Sequence, residues 1–118
     1  IGCPTSTLTL SKACWRVLEK SPEIKDKSSN ILHWCEDGIA SWYEISLYIK
    51  KISKQIDLIS RSASIKKVTS LEYKSKINRP NYTVLDCSST REFLNLYPPN
   101  WEKSILNILL KIKEQNQL

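Results

Sequence analysis

His33, Trp34 and Cys35 stand side by side and are the residues of this chain whose types come closest to covalent chemistry. A histidine that takes a proton from a thiol creates a nucleophile. His33 is the single histidine, so it would be the only imidazole base. Residues two apart on a helix point about 200° apart around its axis. In the helix this stretch predicts, His33 and Cys35 therefore face away from each other. The spacing favours an exposed or capping histidine beside a structural cysteine. Glu36 and Asp37 follow, where a helix amino end favours negative charge. No GxSxG, HExxH, GxGxxG or phosphate-loop pattern occurs. These residues predict a protein that is not an enzyme and carries no cofactor.

The cysteines carry the next expectation. Cys3, Cys14, Cys35 and Cys87 form neither a CxxC pair nor a Cys/His cluster, so no metal site is expected. An even number of separated cysteines implies disulfides and an oxidising compartment. Cys14 and Cys35 fall on the inward stripes of two predicted helices, each about two turns from a link near residues 21 to 29. An antiparallel pair brings them to one height, so the expected pairing is Cys14–Cys35, leaving Cys3 with Cys87. Cys3–Cys35 with Cys14–Cys87 is the rival. Asn81-Tyr82-Thr83 is a glycosylation sequon that fits the same compartment. The chain starts with Ile and contains no Met, which reads as a mature, secreted protein freed of its leader.

The formal net charge is +6. Arg61, Lys66, Lys67, Lys74, Lys76 and Arg79 concentrate part of it, against Glu72 alone. Such a segment can attract polyanions, acidic proteins or anionic membranes, and equally can be a solvated crossover. Nucleic acid is not an expected partner, because no recognition motif accompanies the charge. Trp15 and Trp34 lie off the apolar stripes and are candidate anchors for a protein partner. Trp42 and Trp101 lie on the stripes and are expected in the core.

The elements that must position these residues read as helices. At 118 residues and 13.6 kDa the chain is expected to form one domain, residues 1–118. Ile31, Cys35, Gly38, Trp42, Ile45, Ile49, Ile52, Ile56, Ile59 and Ala63 alternate steps of four and three residues. That stripe predicts one long helix over 31–63, capped by Ser28, Ser29 or Asn30, with Asp37-Gly38 its weak point. Thr5 or Ser6 caps a first helix over 6–20. A last helix follows Pro98-Pro99, with Trp101, Ile105, Ile108 and Ile112 inward. Between them Ile65, Val68 and Leu71 suit a short helix, residues 77–87 an extended crossover, and 89–96 a further turn of helix. No apolar run approaches the roughly 20 residues that span a bilayer.

The expected fold is all-α: a disulfide-stabilised bundle of three to four helices, with one long central helix and an extended crossover before the last. In its capped helix at 6–20, its crossover ending at Cys87 and its Phe93–Leu110 approach to the final helix, the chain resembles the short-chain helical cytokines. The likeness is one of architecture, and the long central helix departs from it. It implies a secreted, non-enzymatic ligand for a cell-surface receptor or other extracellular protein. Two other readings stand beside it. One is a secreted toxin acting on membranes through the basic helix that carries Lys50, Lys51 and Lys54. The other is a small helical carrier of an apolar ligand, against which the count of four cysteines weighs.

Overall fold

The computed structural model describes residues 1–23, 31–73, 77 and 79–116. Four α-helices follow one another: α1 (Thr7–Lys20), α2 (Trp42–Gln55), α3 (Ser88–Leu94) and α4 (Trp101–Gln115). The ends of α1 and α4 lie where the capping residues place them. Ser6 accepts the Leu8 N–H at 3.1 Å, and Asn100 accepts the Glu102 N–H at 2.9 Å. The α3 helix stops at Asn95, which takes the left-handed conformation (φ 46°) that asparagine tolerates.

The long helix over 31–63 does not form. Residues 31–36 lack helical structure, and helix begins only at Trp42. Two local features decide this. Gly38 adopts φ +85°, outside any right-handed helix. Three residues later Ser41 and Glu44 make a reciprocal capping box, which fixes the start of α2. At the other end Asp57 turns left-handed (φ 53°), and the N–H groups of Leu58 and Ile59 both return to the Ser53 carbonyl. The helix expected around Ile65 to Leu71 is also absent. A turn closes there instead, with the Tyr73 N–H on the Thr69 carbonyl at 3.1 Å. Ser28, Ser29 and Asn30, the expected caps, lie outside the described residues.

Nor is there a stapled bundle. The helices pair two by two, α2 on α4 and α1 on α3, and the backbones of α1 and α2 do not approach each other. All four cysteines are thiols. The expected Cys14–Cys35 and Cys3–Cys87 bonds are thereby overturned. Cys35 leaves the segment before α2 rather than a helix, so the equal-height argument fails. Its Sγ lies 3.4 Å from that of Cys87, while Cys14 is exposed on α1.

The buried residues are few. Leu94 of α3 is fully enclosed and Ala13 of α1 nearly so, and Lys20 extends α1 over the Phe93 ring. Trp101 and Leu109 anchor α4, with buried Ser53 on α2 and Ser104 on α4. Lys113 reaches across to the Ile56 carbonyl and closes the carboxyl end of α2. Trp42, expected in the core, is 77% exposed at the first position of α2.

The result is a slab measuring 54 × 42 × 21 Å, with a radius of gyration of 17.6 Å. A compact domain of this length has about 13–14 Å. The surface is 9474 Å², against roughly 6,600 Å² for a compact monomer of this mass. Leu8, Trp15, Leu18, Ile31 and Ile39 are among the apolar side chains left open. Among the described residues no helix is long and apolar enough to cross a membrane.

Candidate functional site

Residues 37–40 are where the separate parts of the chain converge. Gly2 and Ala40 exchange N–H···O=C bonds of 3.0 Å in an antiparallel bridge. On the other side the Asp37 N–H donates to the Pro99 carbonyl at 3.1 Å. The Trp101 N–H returns to the Asp37 carbonyl at 3.0 Å. The segment is thus clamped between the amino end and the start of α4. Gly38 sits in the middle, and a Cβ there would come within 2.8 Å of Asn100 Nδ2 and 3.0 Å of Trp101 Cδ1.

Two clefts open on this segment, and Gly38 and Ile39 line both. The larger, about 530 Å³, lies between the amino ends of α2 and α4. Tyr48 and Trp101 form its aromatic wall, with ring centroids 5.3 Å apart at 70°. Edge-to-face contact suits the ring quadrupoles. Burial, and then the Glu102 carboxylate, push the Tyr48 hydroxyl above its ordinary pKa, so it stays a hydrogen-bond donor at neutral pH. Glu44 and Glu102 supply acceptors and Lys51 one cation.

The smaller cleft, about 190 Å³, includes Asp86, Arg91 and the thiols of Cys3, Cys35 and Cys87. Arg91 Nη2 donates to the Cys35 carbonyl at 3.3 Å, and its Nη1 lies 3.6 Å from Asp37. Its Nε is buried and finds no partner among the described residues. Both clefts hold more carboxylate than cation. Such a lining accepts hydroxyls and covers an apolar ring face better than it neutralises a phosphate.

Glu44 also ties the larger cleft to pH. Its carboxylate takes the Ser41 N–H and the Ser41 hydroxyl, each at 2.7 Å. These bonds, the backbone one first, hold its pKa below the ordinary glutamate value. A carboxyl depressed in the folded state stabilises it above the unfolded pKa and stops doing so as pH falls through the folded one. The Ser41 and Glu44 amide resonances are therefore expected to shift together on acidification, with the amino end of α2 fraying. In Ser41→Ala the carboxyl should titrate nearer its ordinary range. An unchanged midpoint in that variant would contradict the assignment.

The residues expected to form sites fall elsewhere. Neither Trp15 nor Trp34 lines either of these two clefts. Trp15 is exposed on α1 and donates its ring N–H to Glu19 at 3.0 Å. The ring N–H of Trp34 is buried and finds no partner among the described residues. Arg61, Lys66 and Arg79 are exposed, and Lys67 lies 5.9 Å above the Tyr43 ring. Lys74 and Lys76 lie outside the described residues. Asn81 is exposed and its side chain accepts from Ser70 at 3.1 Å. Sequence reasoning missed Gly38, Tyr48, Asn100 and Arg91 as a group. The S-x-x-E of Ser41–Glu44 and the rarity of glycine (two in the chain) were the legible signals.

Residues 1–114 match the family described as RmlD substrate binding domain. A dTDP-4-dehydrorhamnose reductase of Sinorhizobium fredii (strain NBRC 101917 / NGR234) is 26% identical over 107 residues, which cover 88% of this chain and 35% of that protein. The spore coat polysaccharide biosynthesis protein SpsK of Bacillus subtilis (strain 168) is 30% identical over 109 residues, covering 92% of this chain and 34% of SpsK. A dTDP-4-dehydrorhamnose reductase of Aggregatibacter actinomycetemcomitans is 20% identical over 108 residues, covering 92% of this chain and 37% of that protein. The chain spans about a third of the length of these relatives. No solved structure matches it.

These matches overturn the expectation of a secreted cytokine-like ligand, and with it the membrane-toxin and carrier alternatives. They overturn the non-enzyme expectation too, because two of these relatives carry the name of a reductase. The family is Rossmann-like α/β, so the all-α class is corrected as well, although the described residues are helical with two isolated bridges.

Proposed function

Because the chain belongs to the RmlD substrate binding domain family, we propose that it forms the sugar-binding part of a reductase acting on a dTDP-linked 4-dehydro sugar. The observation that carries this is the match over residues 1–114, joined to relatives named for that reaction and for polysaccharide biosynthesis. The larger cleft supports it. Tyr48, held from behind by the buried Trp101, offers a surface for the apolar face of a deoxysugar or a thymine ring. Glu44 and Glu102 accept hydroxyls, and Lys51 can pair with one phosphate oxygen.

Reducing a carbonyl adds a hydride to carbon and a proton to oxygen, and a dinucleotide usually supplies the hydride. This chain's residues do not fit a dinucleotide. Its two glycines cannot make the G-x-G-x-x-G turn that admits a pyrophosphate. In this reading the hydride donor is held by a region equivalent to the two thirds of the relatives that this chain does not match.

The test is complementation. A version of the Sinorhizobium fredii relative lacking the matched third is mixed with this chain, a dTDP-4-dehydro sugar and a reduced nicotinamide dinucleotide. Consumption of the dinucleotide that depends on this chain is expected. Stable association of the two parts with no turnover would refute the reading.

A further inference from the structure

We propose that Cys3, Cys35 and Cys87 form an oxidation site in which a low-molecular-weight disulfide enters at Cys3 and leaves a Cys35–Cys87 bond. The proposal is independent of the reductase reading. Cys35 and Cys87 are 2% and 3% exposed, and their sulfurs already face each other at 3.4 Å. Cys3 is partly exposed and lines the same small cleft as Cys35 and Cys87. Cys14 is exposed on α1 and makes no thiol contact among the described residues. The trio is not a metal centre, since no group of His, Cys, Asp or Glu among the described residues could hold an ion.

The chemistry is thiol–disulfide exchange. The Cys3 thiolate attacks oxidised glutathione, forming a mixed disulfide and releasing one glutathione. Cys35 attacks the Cys3 sulfur, and the second glutathione leaves. Cys87 then attacks Cys35, the Cys35–Cys87 bond forms, and Cys3 departs as a thiol. Two protein thiols lose two electrons and two protons, and both pass to glutathione. Burial, then the neighbouring Cys87 and Cys3 thiols, push the Cys35 thiol up to about 12. Little thiolate is present there at neutral pH, so within the trio the entry falls to the partly exposed Cys3 rather than to Cys35. The bond would tether the residues just before Asp37 and Gly38 to the amino end of α3, stiffening the floor shared by the two clefts.

The test treats the reduced protein with oxidised glutathione at neutral pH, quenches with acid, alkylates the unfolded chain and maps the peptides. When Cys14 is fully modified, Cys35 and Cys87 should be recovered as one cross-linked peptide pair, with Cys14 carrying glutathione. Cys35 and Cys87 still open to alkylation at that point, or a cross-link through Cys14, would overturn the proposal. Cys3→Ser should slow the Cys35–Cys87 bond at least tenfold without slowing modification of Cys14. An unchanged rate would remove the entry role of Cys3 and overturn the proposal in that form.

Discussion

Gly38→Ala is expected to destabilise the fold by about 2–5 kcal/mol and to abolish ligand binding in the larger cleft. Two costs combine. A left-handed residue with a side chain costs roughly 1–2 kcal/mol, and Gly38 has φ +85°. Overpacking adds about 1–3 kcal/mol, because the new Cβ would meet Asn100 and Trp101 at 2.8 and 3.0 Å. Neither neighbour gives easily. Asn100 caps α4 through its side chain, and Trp101 is buried against Tyr48. Relief must come from moving residues 37–40 away from α4, which breaks the Asp37 bonds to Pro99 and Trp101. Urea unfolding measures the loss. The Asp37 and Trp101 amides should exchange with solvent faster than those inside α1. A variant as stable as the parent, with these amides still protected, would show that the convergence at Gly38 is not what holds the clefts.

Glu36→Ala is the second large effect, expected at about 2–4 kcal/mol. Glu36 is 2% exposed, and its Oε1 accepts the Ser6 N–H at 3.2 Å and the Thr9 hydroxyl at 3.0 Å. A carboxylate is thus buried at the amino end of α1, where unpaired N–H groups and the helix dipole favour negative charge. Removing it leaves Ser6 and Thr9 without these partners and opens a void beside Cys35. Glu36→Gln retains the acceptor oxygen but loses the charge and buries an amide nitrogen, so it should fall between Ala and the parent. Unfolding midpoints in that order support the role. Equal midpoints for Ala and Gln would mean that Glu36 acts only by filling space.

Glu36 also shows why the sequence was partly legible. Its place in the sequence predicts an acid at the start of the helix that follows, whereas it serves α1, thirty residues upstream of it. The α1 and α4 helices were readable because apolar spacing agreed with local punctuation, Ser6 after Pro4 and Asn100 after Pro98-Pro99. Over 31–41 the same spacing misled. Apolar residues at helical intervals also arise where an irregular segment meets several different neighbours, as Cys35 meets Cys87 and Ala40 meets Gly2. Gly38 and the Ser41–Glu44 box outweighed the periodicity, because one needs φ > 0 and the other fixes a helix start. The clefts had no local signal. Tyr48 and Trp101 come together only through the pairing of α2 with α4. The even cysteine count was read as pairing, yet it says nothing of which thiols meet or whether they are oxidised.

The most direct measurement is a titration of the folded, isotope-labelled chain with a dTDP-linked 4-dehydro sugar, followed by NMR. Saturable shifts are expected at the Gly38 amide, the Tyr48 ring and the Trp101 indole, with α1 resonances such as Trp15 unmoved. No shift up to about 1 mM sugar nucleotide, a concentration that detects binding of only about 4 kcal/mol, or shifts confined to α1, would contradict the sugar-binding role.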